Sequence, residues 1–463
     1  MTTTKSSAAA DPSAAADHSK PTAATTGLLT NGLADRLGLL RDREFRLLWT
    51  GESVSSLGSS VTTVALPLVA VTVLHAPPLA VSVLAAAAWL PWLIIGLPAG
   101  AWVDRGSRRR IMLVADWISM AAFLSVPVVA ALGHLTVVQL ALVALVAGTA
   151  KVFFATAYRA YLPAVVKPAH LLEANAKLQG SEQVANLAGP GVAGLFAQLA
   201  SALGGLVLDA ATFAVSAVCL TRMRTVEEVR PRARRRLRTE IREGLGMVAR
   251  DSLLRGHTLY GCAANLALTG YQSLLVLFLV RDVGLSAGAT GVLIAITSGG
   301  GILGATVARG LATRIGSARV VLLGKVGLAP LGLLIPCANR GFGLVLFAVA
   351  GVAIVAGVVA GNVVFAGFMQ SYVPAELLGR VSTSVQVVNF GAIPLGALVA
   401  GALGNAVGVR TALWAMLGIF ALSGLILLAT PVRRLRDLPS GRLGDASGLN
   451  ATSDTRQPFP GSA

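Results

Sequence analysis

The chain has 463 residues, of which 55% are hydrophobic and 13% are charged, and its formal net charge is +17. A water-soluble protein of this size carries far more surface charge, so the composition excludes a soluble multidomain protein and indicates a surface that mostly faces lipid. The positive charge would also fit a nucleic-acid-binding protein, but its distribution along the chain, described below, argues against one.

The predicted elements, in chain order, are a polar tail, six apolar helices, a basic loop, six more apolar helices and a second polar tail. The first tail is rich in Ala, Thr and Ser without an apolar core, which predicts disorder rather than a signal peptide; the second tail is also predicted to be disordered.

A helix needs about 20 apolar residues to cross a bilayer. Such segments lie near residues 48–74, 79–103, 111–132, 136–158, 179–200, 204–221, 257–280, 286–308, 319–338, 342–369, 381–403 and 409–430. The predicted domains are residues 1–42 (tail), 43–222 (N-terminal bundle), 223–256 (basic loop), 257–431 (C-terminal bundle) and 432–463 (tail).

The loops between these helices carry a strong charge asymmetry. Loops on one face hold 22 Lys and Arg residues, whereas loops on the other face hold only Arg281, Arg340 and Arg410. Positively charged loops remain in the cytoplasm, so the first face and both termini are predicted to be cytoplasmic, in a bacterial plasma membrane. The run from Arg230 to Arg238 is then a solvated loop near lipid headgroups, and nucleic acid is not an expected partner.

The two sets of six helices are related in sequence. Tyr161-Leu-Pro163-Ala164 recurs as Tyr372-Val-Pro374-Ala375, each just after a membrane exit, and equivalent positions are 204 to 211 residues apart. Such a duplication predicts an all-α membrane protein with 12 transmembrane helices in two six-helix bundles related by a pseudo-two-fold axis. In proteins of this kind the substrate site lies between the halves, near the bilayer midplane.

A short arginine-rich turn joins the second and third helices. It resembles the G-x-x-x-D-R-x-G-R-R loop of the major facilitator superfamily of transporters, with Ser107 in place of the second Gly. The matching residues are Gly100, Asp104, Arg105, Arg108 and Arg109. The resemblance implies a cytoplasmic gate: Gly100 allows close backbone approach, and Asp104 sits at the N-terminus of the eleventh helix, near Arg380. The alternative is a charge cluster that only sets topology.

A second motif lies in the fifth helix. Ala185-Asn-Leu-Ala-Gly189-Pro190-Gly191-Val-Ala193-Gly194 resembles the antiporter motif G-x-x-x-G-P-x-x-G-G of proton-coupled drug exporters, with Ala185 and Ala193 replacing two glycines. Pro190 removes a helical hydrogen bond, and the small residues allow close helix packing. The resemblance implies a bent helix that seals the cavity against proton leak, and the alternative is ordinary packing.

Further segments narrow the resemblance to the enterobactin-exporter and macrolide-efflux branch of the superfamily. They are Phe45-Arg46-x-Leu48, Ala115-Asp116, Leu172-Glu173-Ala174-Asn175, Gly189-Pro190 and Asp209-Ala-x-Thr212-Phe213. Many members carry Arg three residues after the Asp of the third helix, where this chain has Ser119. A charge pair of the branch is therefore missing around Asp116.

Ionisable residues inside membrane spans usually face a bundle interior or a cavity. Because the first and fourth helices line the cavity in this superfamily, the candidate proton or cation site is Glu52, with Lys151 as its charge partner. The alternatives are that Glu52 extends to water or forms a fixed strut with Lys151. Asp209 is a further coupling candidate, although a local hydrogen bond explains it equally well, and Lys325 is expected to snorkel to the interface.

The remaining polar residues of the predicted cavity are few. The candidates are Asn265, Tyr271, Gln272, Asn362 and Gln370, each of which fits a helix-to-helix hydrogen bond as well as a substrate contact. An apolar cavity favours a hydrophobic or amphiphilic substrate over a sugar. Two GxxxG pairs, Gly300/Gly304 and Gly357/Gly361, are expected to pack helices.

The chain carries no enzyme signature. It has no nucleotide-binding Gly-rich loop, no metal-binding spacing of His or Cys and no expected cofactor, so a proton gradient is the expected energy source. The predicted function is proton-coupled export of a hydrophobic or amphiphilic small molecule, such as a drug, antibiotic or siderophore. Its expected partners are the substrate, protons and membrane lipids, without an obligate protein partner. The alternatives are a lipid or lysolipid translocase, an importer, and a non-transporting scaffold or sensor.

Overall fold

The computed structural model describes residues 38–224 and 237–439, and every regular element in them is helical. The predicted tails lie largely outside these residues, as does most of the arginine run of the basic loop. The helices of the N-terminal half are α1 (Arg43–Thr72), α2 (Pro78–Ile94), α3 (Gly96–Val103), α4 (Arg108–Ala131), α5 (Val137–Val165), α6 (Leu171–Leu199) and α7 (Ala202–Arg222).

The C-terminal half follows a connecting helix, and its ninth apolar segment is irregular. The helices are α8 (Leu237–Arg250), α9 (Ser252–Leu277), α10 (Ala287–Ile315), α11 (Ser317–Leu322), α12 (Phe342–Tyr372), α13 (Ala375–Val407) and α14 (Val409–Leu428). A π-helical turn, Phe278–Asp282, extends α9. Another, Leu323–Gly327, follows α11 and leads into a 3₁₀ segment, Ala329–Cys337.

Each predicted span coincides with a helical segment, but the segments differ in how well they suit a bilayer. Among the described residues, ten helices are long and apolar enough to cross a membrane, counting α11 with its extension as one. The second predicted span is divided at Ile95 into α2, of 17 residues, and α3, of 8 residues. The fifth predicted span, α6, has 29 residues but is more polar than the ten helices that are apolar enough to cross a membrane. The chain is a multi-pass membrane protein.

Matching caps begin the first helix of each half. The side chain of Asp42 accepts hydrogen bonds from the backbone of Glu44 and Phe45, and that of Asp251 accepts them from Leu253 and Leu254. An acceptor at this position satisfies amide groups that have no partner within the helix. The caps lie 209 residues apart, as do the starts of α4 and α11, at residues 108 and 317.

The packing of the two halves repeats in the same way. In the N-terminal half α1 packs against α6 and α7, α2 against α5, and α4 against α5 and α7. The equivalents recur in the C-terminal half: α9 packs against α13 and α14, α10 against α12, and the segment beginning with α11 against α12 and α14. The contacts between helices therefore recur along the chain in the order that the internal repeat of the sequence predicts.

The halves meet mainly through two helix pairs, α2 with α13 and α6 with α10, which the repeat relates to each other. The closest approaches lie at one face. The Oγ atoms of Ser82 and Ser273 are 3.2 Å apart there, and a Cβ added to Gly194 would lie 2.9 Å from the Cα of Gly291. We call this the closed face, and we call the other, which carries Arg105, Arg109 and Arg380, the arginine-rich face.

Candidate functional site

The arginine-rich turn is anchored to its own half of the molecule. Ser107 caps α4 through its Oγ, which accepts from the backbone N–H of Arg110. Arg109 donates from Nε to the carbonyl of Leu220 at 2.7 Å and from Nη2 to that of Thr221 at 2.6 Å. These carbonyls end α7, where a helix has free acceptors and a partial negative charge. Arg109 therefore fastens the start of α4 to the end of α7.

The predicted partner of the turn in the other half is bound elsewhere. Asp104 is exposed, and its side chain makes no hydrogen bond or ion pair with the described residues. Arg380, on the first turns of α13, instead pairs through Nη1 with Oε2 of Glu243 on α8 at 2.6 Å. The Asp104 contact with α13 is therefore absent in this conformation, and its formation in a closed conformation stays a prediction.

The close approach expected at Gly100 is absent from this conformation, and for a closed conformation it stays a prediction. A Cβ added to Gly100 would meet nothing within 4 Å. The reason is the separation of the halves at this face: α2 contacts α13 near the cluster of Trp89, Trp92 and Phe390, whereas α3 has no comparable contact with α13 among the described residues.

The antiporter-like motif packs α6 against helices on two sides. Ala185, Gly189, Pro190 and Gly194 are all buried. An added Cβ on Gly189 would overlap Ser60 of α1, whose Oγ is 3.0 Å from Oδ1 of Asn186. Gly194, one to two turns further on, meets the backbone of α10. The small residues thus allow close helix packing, and a role in proton leak stays a prediction.

Glu52 lies at the centre of a charged cluster. Its neighbours are Lys151 and Tyr158 of α5 and Glu182 of α6, and we call these four residues the Glu52 cluster. Oε2 of Glu52 is buried without a hydrogen-bond partner among the described residues. No ion pair within 4.0 Å joins Glu52 to Lys151 in this part of the chain, so the fixed-strut alternative does not describe this conformation. The opposite charges are close but unpaired.

The two other buried acids of this half differ in how they are bound. Asp116 is 1% exposed and lies near Ser216 of α7, while its Oδ2 has no hydrogen-bond partner in the described ranges. Asp209 accepts from Thr62 at 2.5 Å and from Thr212 at 3.3 Å. A carboxylate held by two hydroxyls joins α1 to α7, which favours the local hydrogen bond over a coupling role for Asp209.

The expectation for Lys325 was wrong. Its side chain does not reach the surface: it is 1% exposed, and its Nζ lies 4.9 Å from the ring centre of Tyr260 and 5.8 Å from that of Phe365. Lys325 is the middle residue of the π-helical turn after α11. The packing of that turn against α12 and α14 directs the side chain into the bundle.

The predicted cavity residues fall into two groups. Tyr271 is 9% exposed and belongs to the apolar core, whereas Asn265 is half-buried. Gln272, Asn362 and Gln370 are exposed, and no side chain of these three makes a hydrogen bond to another described residue. A helix-to-helix hydrogen bond is therefore not their role in this conformation, and substrate contact stays a prediction.

Sequence reasoning missed several members of these sites: Tyr158, Glu182, Glu243, His257 and Tyr260. Glu182 had a detectable signal, because it is a carboxylate within a predicted span. Glu243 had no such signal, because a carboxylate in a basic loop cannot be distinguished in the sequence from any other solvated residue. Its role depends on the loop forming a helix.

Comparisons with known proteins agree with this architecture. The profile of the transmembrane secretion effector family matches residues 34–445. The multidrug efflux pump Tap of Mycolicibacterium fortuitum is 28% identical over 396 residues, which cover 83% of this chain and 94% of Tap. The macrolide efflux protein A of Streptococcus pyogenes is 26% identical over 152 residues, 33% of this chain and 37% of that protein.

Among solved structures, the nucleoside transporter NupG superposes with a TM-score of 0.68 at 13% identity, covering 84% of this chain and 98% of NupG. At that identity the likeness shows the fold alone. The resemblance inferred from the motifs is confirmed, and the chain belongs to the transmembrane secretion effector family of major facilitator transporters: it is a membrane transporter and not an enzyme.

Proposed function

We propose that the protein is a proton-coupled exporter of hydrophobic or amphiphilic drug-like molecules in a bacterial plasma membrane. The observation that carries the proposal is the Glu52 cluster, which places an unpaired carboxylate beside a lysine and a second carboxylate inside the N-terminal half. The name of the Tap relative, a multidrug efflux pump that this chain matches over most of its length, supports export as the direction.

The proposed topology has twelve spans, with α2–α3 as the second and α6 as the fifth. Packing of α6 against both α1 and α10 supports this, because a helix that contacts protein on two sides tolerates more polar residues than one that faces only lipid. The charge asymmetry of the loops supports a cytoplasmic position for the arginine-rich face and both termini. The present conformation is then open to the cytoplasm and closed to the outside.

In the proposed cycle, the carboxylates of the cluster bind either a proton or a cationic or polar group of the substrate. Lys151 and Glu182 both act electrostatically on Glu52, so a change at one of them alters the affinity of Glu52 for its ligand. Entry of a proton from outside and departure of the substrate are thereby coupled through one site. No nucleotide or resident cofactor takes part.

Closing of the cytoplasmic side would bring α13 to the arginine-rich turn. Arg380 would then exchange Glu243 for Asp104, which is unbound among the described residues and carries the same charge as Glu243. Asp104 lies directly after α3, so it moves together with the second span.

The test measures retention of a panel of amphiphilic compounds in an efflux-deficient bacterial host, with and without the protein, before and after a protonophore. We expect lower retention that the protonophore abolishes. Glu52→Gln should remove the protonophore-sensitive part, whereas the control Glu173→Gln, a carboxylate at the start of α6 paired with Lys177, should keep it. Full proton-dependent export by Glu52→Gln would refute the assignment of Glu52.

A compound panel without any effect, with the protein present in the membrane, would argue against drug export. Transfer of labelled lipid in vesicles would then test the translocase alternative. Loss of function on charge reversal in the basic loop, without a change in flux, would support the scaffold alternative.

A further inference from the structure

Lys325 is the most deeply buried cation of the described residues, and the protein around it is shaped to hold it. A Cβ added to Gly361 of α12 would lie 2.8 Å from Cε of Lys325, and Gly357, one turn earlier, meets the backbone of Gly324. The GxxxG pair of α12 packs the helix closely against this segment, as the sequence predicts. It accommodates the lysine and the residue before it.

The backbone at this position departs from the regular helix. Leu323–Gly327 forms a π-helical turn with Lys325 at its centre. Such turns insert an extra residue at a cost in hydrogen-bond geometry, and they occur frequently at functional sites. The turn and the glycine pair are independent features on two helices that both serve to place one ammonium group inside the C-terminal half.

The ammonium group has no acidic partner within the described ranges. No ion pair within 4.0 Å there involves Lys325. The faces of Tyr260 and Phe365 offer only a cation–π contact, which offsets part of the cost of desolvation. An uncompensated buried charge is costly, and an anion beside it would offset that cost.

Two further polar groups beside the lysine also lack partners in the part of the chain that the structure describes. The hydroxyl of Tyr260, whose side chain is 3% exposed, is buried without a hydrogen bond. The same is true of Nδ1 of His257, whose ring stacks on Phe365 and acts electrostatically with Lys325. An ammonium, a phenol and an imidazole can all donate hydrogen bonds to the same small anion.

The internal repeat shows that the two halves carry different residues at the position of Lys325. The residue 209 positions before Lys325, in the same place on α4, is Asp116, which is equally buried at 1% exposed. The N-terminal half therefore places a carboxylate where the C-terminal half places an ammonium. The two halves bury opposite charges, so they suit ligands of opposite sign.

We propose that Lys325, Tyr260 and His257 form a binding site for a small monovalent anion, either free chloride or the carboxylate of an organic molecule. The site lies in the half of the protein that does not contain the Glu52 cluster. Anion binding at this site does not require drug export, so it can be tested independently of the proposed function.

The test uses the purified full-length protein in detergent at constant pH and ionic strength. The apparent melting temperature is measured while sodium 2-(N-morpholino)ethanesulfonate, whose anion is bulky and carries no carboxylate, is replaced by sodium chloride or by sodium benzoate. We expect a saturable rise with chloride or benzoate for the wild type and for Lys167→Met, a control at an exposed lysine. Lys325→Met, which keeps the length of the stem and removes the charge, should abolish the rise.

A rise with both anions identifies a site for free anions, and a rise with benzoate alone identifies an organic carboxylate as the ligand. The absence of any anion-specific rise in the wild type, or an unchanged rise in Lys325→Met, would overturn the proposal. If Lys325→Met does not fold, Tyr260→Phe decides the question, because it keeps the ring and removes only the hydroxyl. Loss of one hydrogen bond should raise the half-saturating anion concentration about two- to tenfold, and an unchanged concentration would count against the site.

Discussion

Gly189 lies at a tight contact between α6 and α1, and we predict that Gly189→Ala destabilises the protein. The added methyl group would overlap the Cβ of Ser60 and lie 2.8 Å from the carbonyl carbon of that residue. Because real Cβ atoms do not approach backbone so closely, one of the two helices must shift. The neighbouring contact between Ser60 and Asn186, at 3.0 Å, would be strained by that shift.

The magnitude follows from two opposing effects. Overpacking of a close contact costs about 1–3 kcal/mol, whereas Ala is favoured over Gly inside a helix by roughly 1 kcal/mol. Gly180 is the matched control, because it lies on the same helix and an added Cβ there would meet nothing within 4 Å. Since both variants gain the same helix preference, the difference between them isolates the steric cost of about 1–3 kcal/mol.

The assay is the unfolding midpoint of both variants in the same detergent. We expect Gly180→Ala to equal or exceed the wild type and Gly189→Ala to fall below it. The double variant Ser60→Gly/Gly189→Ala should recover part of the loss, because it removes the closest obstructing atom. Equal midpoints for Gly189→Ala and Gly180→Ala would refute the packing explanation of the antiporter-like motif.

Three further predictions concern the charged groups. Gly361→Ala should lower the unfolding midpoint relative to Gly367→Ala on the same helix, because only the first meets Lys325; equal midpoints would contradict the fit described here. Glu243→Gln should slow maleimide labelling of a cysteine placed at Asn362, because it removes an ion pair that favours the open conformation. A partly exposed ion pair contributes little free energy, so the expected decrease in labelling rate is about 1.4- to 5-fold; unchanged or faster labelling would count against this role of Glu243. Asp209→Asn should keep proton-dependent export while Asp209→Ala lowers the unfolding free energy by about 1–3 kcal/mol, and loss of coupling in Asp209→Asn would instead assign it a transport role.

The sequence alone determined the helical class, the approximate position of each span, the relation between the halves and the family. These properties depend on the hydropathy averaged over a segment or on patterns of residues close together in the sequence. Hydropathy over about 20 residues reports the thickness of the bilayer, and the caps at Asp42 and Asp251 depend on residues two and three positions away. None of them requires knowledge of which helices touch.

The tertiary structure decided how the individual charges are used. Sequence position places Lys325 near a helix end, from which snorkelling was expected, but a π-helical turn and Gly361 turn it into the bundle. Arg380 was expected to meet Asp104, but a helix in the basic loop supplies Glu243 in its place. Position along a helix indicates depth in the membrane, whereas the direction in which a side chain points depends on neighbours brought together from distant parts of the chain. That direction determines whether a charge meets water, another charge or an aromatic ring.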